Sequence, residues 1–208
     1  MIPTHTPAKK SFVLPTPALK AAIEKEWASG KKFSPSSMPL TALAYTAIDQ
    51  MDGNKEHIAE VLLAYVDTDT LSYRSSSQSL QERQKKEWDP ILAWAGSKFN
   101  ALWQTTSGVM PLTQPAALHD AIRAYLLSLD NMRLAACCNL ASGYSSVVLA
   151  MAVLEKQLPA ARAYELSRLE EEAQAEQWGR DEEADERSQR MQAEIIETGQ
   201  FLRLLEAV

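Results

Sequence analysis

Apolar residues recur along most of this chain at three- and four-residue steps, the period of a helix with one buried face. The first such stretch, "ALKAAIEKEWAS", puts Leu19, Ala22, Ile23 and Trp27 on one side. Thr16-Pro17 supplies a capping hydroxyl and a proline at the first helical position, and Gly30 ends the helix. Upstream, in the Pro- and Lys-rich first 15 residues, only "SFVLP" reads as strand-like. "KKFSPSSMP" is a loop. "PLTALAYTAIDQM" and "KEHIAEVLLAYV" are two further helices parted by the Asp52-Gly53 turn. "DTDTLSYRSSS" breaks the period and is expected to form a polar loop with a short strand at 71–73. "SLQERQKKEWDPILAWAGSKF" resumes as helix, with Ser79 as its cap and a kink or restart at Asp89-Pro90. Trp88 and Trp94 are expected to be structural. Six residues apart, they point about 120° away from each other on a straight helix, so a bend at Pro90 is expected if both serve one core.

The segment "NALWQTTSGVMPLTQ" leaves room for one more short strand, and everything after it reads as helix. The expected spans are 115–129, 131–157 with a weak point at Ser142-Gly143, and 159–206. Ala141, Ser142, Gly143, Ser145 and Ser146 are small enough to let neighbouring helices come close. "VVLAMAVL" is apolar almost all round, which marks a central helix. The last helix is expected to bury Met191, Ile195, Leu202 and Leu205. No internal repeat appears.

Composition adds limits to this picture. With 208 residues, 46% hydrophobic and 23% charged, the chain is long enough to bury a core and too apolar to be disordered. Its longest apolar run, 147–154, falls far short of the ~20 residues of a membrane span, so no membrane insertion is expected. Lys9 and Lys10 are followed by no apolar signal core. The expected location is therefore cytoplasmic, or a mitochondrial matrix, with no targeting segment in the chain. The two cysteines, Cys137 and Cys138, are adjacent and badly placed to pair, and they read as small buried hydrophobes in a reducing compartment.

Catalytic chemistry has little to work with. None of the seven glycines stands in a dinucleotide or phosphate-loop spacing. His5, His57 and His119 are scattered, none belongs to an E-x-x-H pair, and no Cys/His spacing fits zinc. Ser145 and Ser146 follow Gly143 without the turn that a nucleophilic serine needs. The expectation is a protein with no catalytic residues, no metal, no cofactor and no small-molecule substrate.

Charge is what singles out one segment. The formal net charge is −6, and residues 165–187 hold ten acids and three arginines, leaving 17 acids against 18 bases elsewhere. Nucleic acid is thus an unsuitable ligand, and a basic protein surface a suitable one. Inside the run, Glu172 and Glu176 lie four apart, as do Glu182 and Glu186, and such like-charged pairs cost a few tenths of a kcal/mol each on a helix. Trp178 sits among them. Two readings stay open. Either Trp178 is buried under a solvated acidic face, with Gly179 kinking the helix beside it, or it is an interface anchor ringed by polar groups. Under the second reading the partner-binding residues are Glu170, Glu171, Glu176, Trp178, Asp181, Glu182 and Glu183.

"SRLEEEAQAEQWGRDEEA" (167–184) resembles the signature of the assembly chaperones for the alpha subunit of the F-type ATP synthase, found in mitochondria and alphaproteobacteria. "MPLTALAYTAID" (38–49), "TDTLSYR" (68–74) and "WDPILAWA" (88–95) agree with that family in order, and "TPAKKSFVLPT" (6–16) matches its early segment. The chain departs at Ala173 and at Tyr45, where the pattern has an aromatic and an Asn. It departs also at Ala175 (an apolar residue in the pattern), Ala42 (Arg) and Ser72 (Cys). Family members carry further amino-terminal residues, mostly strands. The resemblance therefore implies a mainly α protein, α+β overall: a remnant α/β domain over 1–38 and a helical domain over 39–208. It implies a chaperone that holds free alpha subunit until the beta subunit displaces it. The competing reading from the residues alone is an acidic helical adaptor for a different basic partner.

Overall fold

The computed structural model describes residues 2–107 and 110–207, among which ten α-helices carry the fold. They are α1 (Pro17–Ala28), α2 (Pro39–Asp49), α3 (Lys55–Thr68), α4 (Gln78–Phe99), α5 (Ala116–Ser128), α6 (Asn131–Tyr144), α7 (Val147–Leu154), α8 (Ala160–Ser167), α9 (Leu169–Trp178) and α10 (Glu182–Leu204). The mainly α expectation holds. β pairing among the described residues is reduced to two isolated bridges, His5 with Ser11 and Tyr73 with Thr106. "SFVLP" is therefore extended chain, not a strand, with Phe12 buried. The strands expected at 71–73 and within 100–114 shrink to one 3-10 turn at Thr70–Ser72 and a single contact to Thr106. The 108–109 part of that expectation lies outside the described residues.

α7 is the axis of the packing. Val147 to Val153 are all buried, and α3, α4, α6 and α8 surround it. A helix with no wet face must satisfy its first-turn N–H groups without water. Ser146 caps α7, its Oγ accepting from Leu149 N at 3.0 Å. Asp69 does the rest from the end of α3. Its Oδ2 accepts from Val148 N at 3.0 Å, and its Oδ1 accepts from Ser146 Oγ at 2.8 Å and from Leu71 N at 3.0 Å. Asp69 is fully buried, and that burial pushes its carboxyl up to about 6, with the surrounding donors only partly offsetting the cost. Polar side chains also fasten the loop that follows α4. Trp103 Nε1 donates to Ser72 Oγ at 2.7 Å, and Gln114 N donates to Asp67 Oδ1 at 2.8 Å.

Two of the expected helix spans divide. The 131–157 span breaks at Ser145, which takes a left-handed φ of 50°, two residues past the expected weak point. The 159–206 span becomes three helices, interrupted at Arg168 and at 179–181. α4, by contrast, runs through Pro90 without a break, so the expected restart does not occur. Its start is at Gln78, with Ser79 inside the first turn and not at the cap. Trp88 is buried, donates through Nε1 to Leu166 O at 2.9 Å, and lies under the Arg74 guanidinium; Trp94 is half-buried against the same core.

The small residues of α6 do admit a close neighbour. A Cβ on Gly143 would lie 2.5 Å from Ile195 Cδ1 of α10, and one on Gly199 would lie 2.7 Å from Ala160 Cβ of α8. Only the carboxyl-terminal half of α10 is packed in this way, through Ile195, Thr198, Gly199 and Phe201. Met191, expected in the core, is 39% exposed. A second apolar cluster joins the amino-terminal residues to the rest: Phe12, Leu19 and Ile23 meet Leu40, Ala44, Tyr45, Ala136 and Phe201. Here Glu26 of α1 supplies the cap that Met38 cannot, accepting from Leu40 N at 2.8 Å and Thr41 N at 2.9 Å.

Asp69 gives a prediction with a definite sign. Its folded-state value is raised from 3.8 to about 6, so ionising it costs stability in the fold. That cost is absent below the unfolded value and fully present above the folded one. The wild type should therefore lose roughly 3 kcal/mol from this site as pH rises from about 4 to about 6. Asp69→Asn, though less stable in absolute terms because it turns an amide NH₂ toward donors, should lack that component. Urea unfolding of both proteins across this range checks it; parallel pH profiles would remove Asp69 as the source.

Candidate functional site

The acidic segment folds as a short helix, a three-residue turn and the start of a long helix. Arg168, at φ −104° and ψ 11°, ends α8 and lets α9 leave on a new axis. α9 is anchored through one buried residue, Leu169. Glu170, Glu171 and Glu172 fill its first turn, where unpaired backbone N–H groups favour carboxylates. It stops at Trp178 because Gly179 adopts φ 93° and ψ 164°, a conformation open in practice only to glycine. Asp181 then caps α10, its Oδ1 accepting from Ala184 N at 2.8 Å, and Glu182, Glu183 and Asp185 fill the new first turn. Arg180 ties the two helices together, with Glu172 at 2.7 Å and Asp185 at 3.4 Å.

All seven expected partner-binding residues are exposed, and the turn brings them onto one protruding feature. Trp178 is not buried under the acidic face: it is 80% exposed and the sole aromatic among the strongly exposed large hydrophobic residues described. Gly179 separates two helices; it does not kink one. The repulsion expected between Glu172 and Glu176 is relieved by Arg180 on one and by Arg83 of α4, 3.3 Å away, on the other. Arg168 pairs with Glu171 at 2.9 Å. Glu170, Glu182 and Glu183 have no ion-pair partner among the described residues. The surface is acidic, incompletely neutralised and carries one large ring.

Other candidate chemistry resolves into structure. His119 Nε2 lies 2.9 Å from Asp67 Oδ1, where the pair fastens α5 to α3 beside Gln114. His5 contacts the Thr4 hydroxyl. Both cysteines are free thiols; burial pushes Cys138 up to about 11 and Cys137 higher still, which leaves both inert at neutral pH. Among the described residues no group of three His, Cys, Asp or Glu side chains is placed to hold a metal ion, and no helix is long and apolar enough to cross a membrane.

Sequence reasoning misses Arg83, because its partner is 93 residues away. It also misses the turn itself, although Gly179-x-Asp181 is a C-terminal glycine followed by an N-cap residue, a signal written in the chain.

A mainly helical body that gathers acidic charge and its one strongly exposed aromatic on one turn falls in the class of mainly α proteins with an acidic exposed surface. The comparisons narrow the class. Residues 3–96 match the model of the ATP12 chaperone protein family. The crystal structure of Atp12 from Paracoccus denitrificans is similar with a TM-score of 0.91 and 36% identity, covering 98% of this chain and 88% of that one. The crystal structure of the Atu1473 protein from Agrobacterium tumefaciens gives 0.87 and 35%, covering 97% and 75%. The mitochondrial protein atp12 of Schizosaccharomyces pombe is 29% identical over 160 residues, 72% of this chain; the chain spans just over half, 55%, of that relative. The chain belongs to the ATP12 chaperone family.

The turn is testable apart from any partner. Gly179→Ala should introduce strain of about 1–3 kcal/mol. Because the segment is tied to the body mainly through Leu169, relief should come from fraying of α9, not from global unfolding. Hydrogen exchange should speed up across 175–185 while the melting temperature stays nearly constant. Unchanged exchange there would mean that the Gly179 conformation is not required.

Proposed function

We propose that this chain holds the free alpha subunit of an F-type ATP synthase through the acidic turn, keeping it from aggregating until a beta subunit takes its place. The observation that carries the reading is the 80% exposure of Trp178 between two helical first turns filled with carboxylates. Membership of the ATP12 chaperone family supports it, and so does the resemblance of residues 167–184 to the signature of the alpha-subunit chaperones.

The physical logic suits a holder. An unassembled subunit exposes an interface that would otherwise drive aggregation. Its guardian must cover that interface yet release it. One aromatic anchor supplies local affinity, while exposed charges speed the encounter more than they deepen the bound state. Asp181 and the glutamates around it stand in for groups that the beta subunit later supplies. The protein acts by occupancy, without catalytic turnover, and in the same compartment as the unassembled subunit.

Trp178→Ala should leave thermal stability within about 0.5 kcal/mol of wild type, because the ring is exposed. It should weaken binding to purified alpha subunit by about 2 kcal/mol, roughly thirtyfold, as expected of an interface anchor. Glu176→Lys should likewise leave folding intact and abolish protection of alpha against aggregation. Raising salt from about 50 to about 500 mM should slow association, since it screens the charges that steer it. Stable variants that still protect alpha would refute the assignment of this surface.

A further inference from the structure

Glu176 is not free in the isolated protein, and its partner points to what the partner protein brings. Within 168–187 every other ion pair is internal to the segment or reaches only its end; Arg83–Glu176, at 3.3 Å, alone connects the segment to the body among the described residues. Both side chains are largely exposed, so the pair is weak and easily exchanged. Beside it runs a groove of about 460 Å³ between residues 75–80 and α9. Its walls include the hydroxyls of Ser75 and Ser79, the Gln174 amide, and the carboxylates of Glu170 and Glu176, and no lysine or arginine lines it. Ser75 is fixed there, because its N–H donates to the buried Gln84 Oε1 at 2.8 Å.

We propose that this groove is the seat of an arginine side chain of the partner, and that Arg83 is an internal competitor which that arginine displaces from Glu176. A guanidinium has five donors and no acceptor, and the groove offers carboxylates, hydroxyls and amide oxygens. The groove opens alongside the helix that ends in Trp178, so one partner segment can place a guanidinium in it while an apolar neighbour meets the ring. A largely solvated Arg83–Glu176 pair is exchanged for one buried at an interface, where a charged pair is screened less. Arg83 thus keeps Glu176 neutralised in the free chaperone and sets how strongly a basic segment must bind to enter. The proposal rests on the reading that the acidic turn holds the alpha subunit.

The test measures binding of purified alpha subunit to full-length wild type, Arg83→Ala, Lys86→Ala, Glu176→Gln and the Arg83→Ala/Glu176→Gln double variant. Lys86, exposed on the same helix and without an ion pair among the described residues, controls for the change in net charge. Arg83→Ala should bind alpha about two- to fivefold more tightly than wild type, the range that an exposed pair allows. Lys86→Ala should gain clearly less. In the Glu176→Gln background, removal of Arg83 should give no gain over Glu176→Gln alone. Binding by Arg83→Ala that equals or falls below wild type overturns the proposal while leaving the alpha-subunit reading in place, as does an equal gain in Lys86→Ala. No binding of alpha by any of the proteins, wild type included, overturns both.

Discussion

A helix that is apolar on every side can sit at the centre of a protein only if something in the dry interior accepts its first N–H groups. In this chain that something is Asp69, reaching from the end of α3 to the start of α7, 79 residues further on. The contact is costly, since the carboxylate is taken wholly out of water, and the raised value of Asp69 reports that cost. It is nonetheless what permits α7 to serve as a packing surface for four helices at once. The same residue shapes the 3-10 turn at Thr70–Ser72, and Ser72 in turn receives Trp103. One buried charge therefore orders the centre and the loop outside it.

The acidic turn depends on that centre at one remove. α6 and α8, both packed on α7, form the wall against which α10 is pressed, at Gly143 and Gly199, where any side chain would collide. This fixes the carboxyl-terminal half of α10; no residue before Ile195 is buried, Tyr164 of α8 holds Ser188 by donating to its backbone O at 3.0 Å, and the residues ahead of Ser188 are largely exposed. α9, which packs on α4 and α8, carries Trp178 beside that exposed start. Rigidity at one end and exposure at the other are joined in a single 23-residue helix. For the proposed function this matters because a surface held this way is pre-oriented, so less ordering cost falls on association.

Much of this is legible in the residues, and the failures have physical causes. The helix at 17–28 is marked by Thr16, Pro17 and Gly30, which act locally, and the structure keeps the bounds they set. The central position of "VVLAMAVL" follows from its lack of a polar face. The span 159–206 reads as one helix because a charged run keeps helical propensity everywhere while its breaks depend on single residues, Arg168 and Gly179. Met191 fits the apolar period of α10 and touches α6 near Gly143, but it sits at the rim of the body and stays 39% exposed, which periodicity alone does not distinguish from burial. Asp69 and Glu26 are out of reach: a carboxylate that caps a distant helix has the same local sequence context as one in a surface loop. The exposure of the six acids of the turn follows from their charge; that of Trp178 does not, because an indole suits a core as well as a surface.

Trp178 and Asp69 show opposite uses of an expensive arrangement. A buried carboxylate and an exposed indole each cost free energy relative to the reverse placement, and a single fold tolerates few of either. Asp69 is compensated within the chain, by three donors and by the burial that α7 makes possible. Trp178 has no compensation within the chain; its large apolar face is left in water beside carboxylates that are only partly paired. Stability does not explain such a residue, because burying it or replacing it with a polar one would cost the fold nothing. The proposed function explains it by a partner surface that is apolar at its centre and basic at its rim.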